Sequence, residues 1–174
     1  MPHPRRGPGM PHVDAFLYAL GRGGGTSMTE AGAFLMKIGH GLRQVKAARL
    51  ALKRYGYLEG LGRNRYMVAS DLVDVAPDYS LRVAAPGRPR EPRLDLLLIV
   101  LSGDRRPRTT FTRLWARARN PGALYRRARG VLLEYGYIED RYSDRHYYPG
   151  PRAAWILRAA SGDGAVPPSP LQGM

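Results

Sequence analysis

The sequence of 174 residues contains no cysteine, and its four histidines are scattered. A chain without cysteine has no disulfide framework and lacks the usual Cys/His zinc site, so secretion and a structural metal are both disfavoured. The longest apolar run, Leu96 to Leu101, falls far short of the roughly 20 residues that span a bilayer. No apolar segment follows the arginines near the N-terminus. We therefore expect a cytoplasmic protein that does not bind membranes.

Acidic residues are scarce relative to basic ones. The chain holds 14 Asp and Glu against 28 Lys and Arg, which gives a formal charge of +14 and a pI near 10.7. Lysine is scarce among the cations, with 3 Lys and 25 Arg. A GC-rich genome also produces this skew, but forked guanidinium groups suit phosphate and guanine. The charge favours a polyanionic partner such as nucleic acid.

The chain contains an internal duplication. The sequence Tyr-Gly-Tyr-Leu-Glu at 55–59 recurs as Tyr-Gly-Tyr-Ile-Glu at 135–139, and an Arg followed by aromatic residues comes after each copy. Upstream, the mainly apolar segment 13–20 recurs at 94–101. Self-similarity over most of the chain indicates two copies of one structural unit. We define the first repeat as residues 12–69 and the second repeat as residues 93–149.

The segments outside the repeats differ from them in composition. Residues 1–11 are basic and Pro-rich, residues 70–92 are rich in Pro and acid, and residues 150–174 end in a Pro/Gly/Ser stretch. We expect a disordered arm, a linker, and a short helix followed by a disordered tail. That helix is predicted over 152–160, carrying Trp155 and packed on the second repeat. Residues 12–68 and 93–148 each carry a net charge of +6, so the positive charge lies in the repeats.

Within each repeat the pattern predicts three helices followed by a two-stranded hairpin. Ser27 and Glu30 have the spacing of a capping box at the start of the second helix. Thr109 or Thr110 is the expected cap of the equivalent helix in the second repeat. The segments 57–59 and 65–68 are predicted strands around the Gly- and Asn-rich turn 60–64.

Each third helix is predicted to end at a glycine. Gly56 and Gly136 stand where a residue in the left-handed conformation commonly ends a helix. The pattern Leu-x-x-Tyr-Gly-Tyr-(Leu/Ile)-Glu spans this junction at 52–59 and at 132–139.

Three helices closed by a hairpin, with this junction, resemble the winged helix-turn-helix superfamily. The resemblance covers residues 12–68 and 93–148. It implies a mainly α fold with small β-hairpin wings, in the α+β class, built as tandem winged helix-turn-helix domains. It also implies that the third helix of each domain enters the major groove of DNA and that the wing touches the backbone.

A helical wheel separates two faces of each third helix. The predicted core faces are Val45, Ala48, Ala51, Leu52 and Tyr55 in the first repeat, and Tyr125, Ala128, Val131, Leu132 and Tyr135 in the second. The opposite faces and their flanks are basic or small, and the predicted DNA contacts there are Arg43, Gln44, Lys46, Ala47, Arg49, Leu50, Lys53, Ala123, Arg126, Arg127, Arg129 and Gly130. Arginines in the N-terminal half of such a helix suit the reading of guanine. The alternative is a solvated basic face without a partner.

Further contacts with phosphate are predicted on the wings and on one second helix. The wing residues are Arg63, Asn64 and Arg65 in the first repeat, and Arg141, Ser143 and Arg145 in the second. Backbone contacts are also expected in the second repeat alone, from Arg105, Arg106, Arg108, Arg113, Arg117 and Arg119. Tyr55, Tyr57, Tyr135 and Tyr137 recur at structural junctions, so we predict that they pack the core and the hairpin and do not stack on bases.

No pattern of catalytic residues is found. The Gly-rich segment 21–27 lacks the Gly-Lys-Ser/Thr ending of a phosphate-binding loop, and the histidines have neither metal-ligand nor triad spacing. Asp14, Asp95, Glu59 and Glu139 recur with the repeat, which indicates caps or ion pairs with arginine rather than acid/base chemistry. We therefore predict that the chain is not an enzyme and needs neither cofactor nor metal.

The expected partner is double-stranded DNA, bound by a monomer or a homodimer that regulates transcription. In a bacterium or archaeon such a protein is expected on the nucleoid. Two alternatives remain open from the sequence. One is a replication, partition or mobile-element protein that uses the same DNA-binding units. The other is a winged-helix scaffold that binds another protein.

Overall fold

The computed structural model describes residues 9–69, 91–104, 106–141 and 146–162. Within them the chain is mainly helical with small antiparallel sheets, which confirms the α+β prediction at that level. The first repeat consists of α1 (Pro11–Arg22), β1 (Thr26–Ser27), α2 (Met28–Lys37), α3 (Leu42–Arg54), β2 (Leu58–Gly62) and β3 (Arg65–Val68). The second consists of α4 (Pro92–Leu101), α5 (Pro107–Leu114), α6 (Pro121–Glu134), β4 (Ile138–Arg141) and β5 (His146–Pro149), and α7 (Pro151–Ser161) follows it.

The predicted arm, linker and tail lie mostly outside the described residues. Two of their predicted boundaries shift by one residue, because α1 begins at Pro11 and α4 begins at Pro92. Proline suits the first turn of a helix, since its missing N–H has no partner there in any case. The proline that we placed at the end of the linker therefore starts a helix instead.

The capping box that we predicted for α2 is half formed. The Glu30 N–H donates to Ser27 Oγ at 3.0 Å, as predicted. The carboxylate of Glu30 does not accept the backbone N–H of Ser27, which is the second bond of a capping box. It instead accepts a hydrogen bond from the Tyr18 hydroxyl at 3.3 Å and pairs with Arg22 on α1. The side chain predicted to complete the cap thus joins α2 to the preceding helix.

The prediction that Thr109 or Thr110 caps α5 is wrong. The helix begins two residues earlier, at Pro107, so both threonines lie inside its first turn. The N-cap residue is Arg106, and the carboxylate of Asp104 accepts its N–H at 2.6 Å and also accepts the hydroxyl of Thr110. An aspartate ahead of the helix satisfies an end donor and also places negative charge at the positive end of the helix dipole.

The hairpins follow the third helices through the predicted glycines. Gly56 and Gly136 have φ angles of 82° and 78°, which confirms their left-handed conformation. In the first repeat β3 pairs with both β2 and β1, so the sheet has the order β1-β3-β2. The short strand β1, between α1 and α2, was not predicted, because two residues carry no readable alternation. In the second repeat the described sheet consists of β4 and β5.

The first helices of the two repeats, α1 and α4, are buried on nearly every side. Residues 13–19 and 94–100 are all buried, which explains why residues 94–101 are apolar at every position but one. The charged residues in these two buried segments are the equivalent Asp14 and Asp95, which are 0% and 1% exposed. The buried apolar side chains of both repeats and of α7 form one continuous cluster.

Each buried carboxylate is bound by a tyrosine from the other repeat. The Tyr57 hydroxyl donates to Asp95 Oδ1 at 2.5 Å, and the Tyr137 hydroxyl donates to Asp14 Oδ1 at 2.6 Å. Burial and the adjacent Asp14 charge both raise the pKa of Tyr137. Tyr57 and Tyr137 are therefore packing residues, as predicted, and they also join the two repeats.

The helix α7 packs mainly on α1 of the first repeat, and its first turn contacts the second repeat, where we predicted it, since the Arg152 N–H donates to the Gly136 carbonyl at 3.0 Å. Arg152 donates from its Nε to Asp14 Oδ1 at 3.1 Å and from a terminal nitrogen to Asp14 Oδ2 at 2.7 Å. Farther along, a side chain on Gly21 would come within 2.7 Å of the Leu157 carbonyl, so glycine permits the close approach of the two helices. Burial alone disfavours a charged guanidinium, but the hydrogen bonds and charge of Asp14 outweigh it and raise the pKa of Arg152.

We expect Tyr137→Phe to lower the free energy of unfolding by about 1.5–3 kcal/mol, because it removes a hydrogen bond to a buried charge. The phenol also accepts the Met10 N–H at 2.9 Å, and that donor would lose its partner. Tyr55→Phe is the matched control, since Tyr55 is 38% exposed. Chemical denaturation measures both, and equal losses for the two variants would contradict the buried bond.

Stability is expected to fall as the pH rises from 10 towards 12. Burial between the sheet and α1 raises the pKa of Tyr66 from 10.0 to about 12. The unfolded chain then loses this proton first, so the stabilisation is complete below pH 10 and declines by about 1.4 kcal/mol per pH unit above it. Tyr66→Phe should make the decline shallower by that amount in denaturation experiments at several pH values. An unchanged slope would show that Tyr66 does not cause it.

Candidate nucleic-acid interface

The third helix of the first repeat, α3, exposes the face predicted to contact DNA. Its buried side chains are Val45, Ala48 and Leu52, which confirms the centre of the predicted core face. The predicted contacts that it exposes are Arg43, Gln44, Lys46, Ala47, Leu50 and Lys53. One core prediction is wrong, because Tyr55 is 38% exposed and only borders the core. The residue follows the last turn of α3, where the helical wheel no longer describes its direction.

The third helix of the second repeat, α6, exposes a smaller basic face. Arg126, Arg127 and Gly130 are exposed, and Ala123 is half-buried. Tyr125, Ala128 and Leu132 form the buried side, as predicted. Because Ala123 and Gly130 have little or no side chain, the backbone of α6 is accessible to a large partner between its arginines.

The exposed cations of both third helices have no acidic partner within the described ranges. The side chains concerned are Arg43, Lys46, Lys53, Arg54, Arg126 and Arg127. The ion pairs that exist there join other residues, such as Arg22 with Glu30 and Arg152 with Asp14. Solvated cations that no carboxylate neutralises leave each helix face free to pair with an external anion.

Three predicted contacts have side chains that are bound or partly enclosed by their own repeat. The side-chain oxygen of Gln44 accepts the Gly41 N–H at 3.0 Å, so Gln44 caps α3. Arg49 is half-buried, with its Nε enclosed beside the core. Arg129 is also half-buried and lies with its guanidinium carbon 5.6 Å from the centre of the Tyr125 ring. Arg49 and Arg129 occupy equivalent positions, so the inward turn of this arginine is a property of the repeat.

The wing of the first repeat exposes a cationic tip. Arg63, Asn64 and Arg65 are exposed, and the first two have φ angles of 45° and 61°. Two successive left-handed residues form the hairpin turn that suits the twist of the strands, which normally carries Asn or Gly. Arginine is strained in this conformation. A charged residue at a position that favours glycine points to a role for the charge itself.

The wing of the second repeat is only partly described. Arg141 pairs with Glu139 at 3.2 Å and stacks with its guanidinium carbon 3.8 Å from the centre of the Tyr148 ring. The ion pair of Glu139 with an arginine agrees with the prediction for this acid. Arg141 is exposed, but its own hairpin already binds it. Ser143 and Arg145 lie outside the described residues.

Arginines of the second repeat extend the charge beyond α6. Residues 105–133 contain nine Arg and no Asp or Glu. Five of the six predicted backbone contacts are exposed on α5 or close to its ends, namely Arg106, Arg108, Arg113, Arg117 and Arg119, and Arg105 lies outside the described residues. The equivalent α2 of the first repeat ends on a single cation, Lys37. The second repeat therefore presents the denser positive surface.

The sequence reasoning missed the apolar side chains on the surface of the first repeat. Leu42 and Leu50 on α3 are 52% and 56% exposed, and Leu50 alone was among the predicted contacts. Leu61 on the wing and Met36 on α2 are also exposed. Leu42 lies at the edge of the basic face on the helical wheel, so its position on α3 was a readable signal.

A groove separates α3 from the start of the second repeat. It encloses about 360 Å³ and is lined on one side by Gln44, Ala47 and Tyr55, and on the other by Glu91 and Leu94. The flank of α3 that faces the second repeat is thus open, and the described residues do not cover the basic face.

Metal ligands and membrane-spanning helices were sought in the described part of the chain. Among those residues no group of three or more His, Asp or Glu side chains is placed to hold a metal ion. None of the described helices combines the length and the apolar character needed to cross a bilayer. No protein-family model, no curated protein and no solved structure matches the chain.

The backbone strain at Arg63 on the wing tip can be tested by substitution. We expect Arg63→Gly to be more stable than Arg63→Ala by about 1 kcal/mol, because glycine adopts positive φ without the steric cost that alanine retains. Both variants remove the same charge, so the comparison isolates the backbone strain. Thermal or chemical denaturation measures the difference, and equal stabilities would show that the turn is not strained at Arg63.

Proposed function

We propose that this chain is a double-stranded DNA-binding protein that regulates transcription, built from tandem winged helix-turn-helix units. The third helix of each unit, α3 or α6, enters the major groove, and the wings contact the phosphate backbone. The observation that carries the proposal is the recurrence of an exposed, unneutralised basic face on both third helices. One such face is common on proteins, whereas its recurrence on the equivalent helix of a duplicated unit calls for a shared cause.

The charge distribution supports a duplex as the partner. A basic face on a helix that projects from the surface has the size and sign to enter a major groove. The first wing adds Arg63 and Arg65 beside α3. Lys53 extends from α3 to the wing, so that a Cβ atom placed on Gly60 would lie 3.5 Å from the Lys53 Nζ. Helix and wing of the first repeat therefore form one continuous cationic surface.

The two repeats contribute unequally to this proposed contact. In the second repeat the arginines of α5 and its following turn flank α6, which suits many backbone contacts that carry no sequence information. In the first repeat Leu50 lies among the cations of α3 and is available to contact a thymine methyl group. We assign base reading chiefly to α3 and phosphate binding chiefly to the second repeat. A DNA partner implies residence in the cytoplasm, on the nucleoid in a bacterium or archaeon.

A second candidate function, docking of another protein, is favoured by one observation. All large apolar side chains exposed within the described residues, namely Met36, Leu42, Leu50, Tyr55 and Leu61, belong to the first repeat. Exposed apolar residues that are concentrated in one repeat suit a protein partner. The helix that exposes Leu42 and Leu50 also exposes Arg43, Lys46 and Lys53, and such a density of cations favours DNA. A replication or mobile-element role would use the same DNA-binding surface.

Removal of two cations from a third helix is expected to weaken binding to duplex DNA by about tenfold or more, because each lost contact costs about 1–3 kcal/mol. The variants are Arg43→Ala with Lys46→Ala on α3, and Arg126→Ala with Arg127→Ala on α6. The matched control is Lys37→Ala with Arg158→Ala, which removes the same charge from exposed positions elsewhere. Affinities are measured by fluorescence anisotropy at several salt concentrations.

For the unsubstituted chain, affinity should fall by about 10³-fold or more between about 50 and 200 mM salt, because six or more phosphate contacts release counterions. Each third-helix variant should also show a shallower salt dependence. A flat salt response would remove duplex DNA as the partner and favour the docking of a protein. Equal losses of affinity for the control and the third-helix variants would mean that binding depends on the total charge of the protein and not on the third helices.

A further inference from the structure

The contacts between the two repeats are reciprocal. Tyr57 of the first repeat binds Asp95 of the second, and Tyr137 of the second binds Asp14 of the first, at 2.5 and 2.6 Å. In the alignment of the duplicated sequence the two tyrosines are equivalent, and so are the two aspartates. The tyrosine of each repeat therefore binds the aspartate of the other repeat, so the same pair of residues is used in both directions.

The same tyrosines also bind equivalent backbone groups. The N–H of Glu91, the residue before α4, donates to the Tyr57 hydroxyl at 3.1 Å. The N–H of Met10, the residue before α1, donates to the Tyr137 hydroxyl at 2.9 Å. Each tyrosine thus joins the start of the partner repeat's first helix to the carboxylate one turn farther along. The two sides of the interface use the same atoms in the same roles.

Reciprocity of this kind identifies the symmetry that relates the repeats. When residue i contacts residue j of a neighbour and residue j contacts residue i in return, the two units are related by a two-fold axis. A head-to-tail array of repeats, related by translation, would form one of the two Tyr–Asp bonds and leave the other pair unmatched. Both bonds are present, which excludes the head-to-tail arrangement for this interface.

We infer that the two third helices are related by a local two-fold axis and read two half-sites in opposite orientation on one DNA duplex. The inference rests on the proposed DNA-binding function and specifies the class of site. Duplex DNA has its own two-fold axes perpendicular to the helix, so a protein with two-fold symmetry matches a site with the same symmetry. The covalent connection of the two repeats in one chain does not alter this geometry, because the symmetry arises from the interface between the repeats.

The two half-sites are related but not identical. Lys46 and Arg126 occupy equivalent positions and are both exposed cations, so one contact is shared. Other equivalent positions differ, since Arg43 corresponds to Ala123 and Leu50 to Gly130. A duplex with a perfect palindrome is therefore not the preferred ligand.

The spacing between the half-sites is fixed by the buried interface. Asp14 and Asp95 are shielded from water, and the two tyrosines that bind them belong to the continuous core. Rotation of one repeat against the other would leave a buried carboxylate without its donor, which is costly. The site should therefore tolerate changes of sequence between the half-sites better than changes of length.

The experiment selects bound fragments from a random pool of duplex DNA with the full chain. Synthetic duplexes then carry the enriched half-sites in opposite orientation, in the same orientation, or in opposite orientation with about 5 extra base pairs, which is half a helical turn. We expect the first duplex to bind at least tenfold more tightly than either of the others. The stoichiometry, from analytical ultracentrifugation, should be one chain per duplex.

Variants of the interface give a second readout. Tyr57→Phe with Tyr137→Phe should reduce the penalty of the 5-base-pair insertion at least threefold, whereas Tyr55→Phe should leave it unchanged. Circular dichroism verifies that both variants are folded.

Three outcomes would overturn the two-fold site while leaving DNA binding intact. They are enrichment of half-sites in the same orientation, enrichment of single or unpaired half-sites, and a chain that holds two duplexes. Absence of duplex binding at every salt concentration would instead remove the proposed function itself, so the two failures are distinguishable.

Discussion

The arrangement of both repeats and of α7 depends on the buried carboxylate of Asp14. This side chain is inaccessible to water. It is bound by Tyr137 at 2.6 Å, by His40 at 2.6 Å, and by the Nε and one terminal nitrogen of Arg152. Removal of a carboxylate from water costs several kcal/mol, so the charge is tolerated only while these donors stay in place. The donors come from three separate parts of the chain, and the carboxylate therefore fixes all of them relative to α1.

The equivalent carboxylate in the second repeat is satisfied by a different set of groups. Asp95 accepts hydrogen bonds from Tyr57 at 2.5 Å and from the Trp115 indole N–H at 3.0 Å. The tyrosine is common to both sides, and within the described ranges an indole N–H also donates to Asp95, whereas His40 and Arg152 bind Asp14. The duplication thus preserved the bond between the repeats. The outer faces are likewise only partly alike, since α3 and α6 retain cations but differ in their other side chains.

The sequence predicted the secondary structure and the exposed basic faces closely because both depend on local patterns. The periodicity of α3 placed Val45 and Leu52 inside and Lys46 outside, as the structure has them. Errors arose where a distant residue decided the outcome. Glu30 was predicted to cap its own helix, but Tyr18 and Arg22 bind its carboxylate. The helix α7 was predicted on the second repeat, but it packs mainly on α1 of the first, where Asp14, 138 residues before Arg152, binds its first turn.

Three features could be predicted from the sequence, namely the duplication, the order of the helices and hairpins, and the location of the positive charge in the repeats. These follow from composition, from periods of two and 3.6 residues, and from the self-similarity of the chain. The tertiary structure alone decided how the repeats meet. A tyrosine and an aspartate recur in each repeat, and the sequence offers no reason to pair Tyr57 with Asp95 rather than with Asp14. That choice depends on which side chains share a water-free space once the helices pack, and it sets the mutual orientation of α3 and α6.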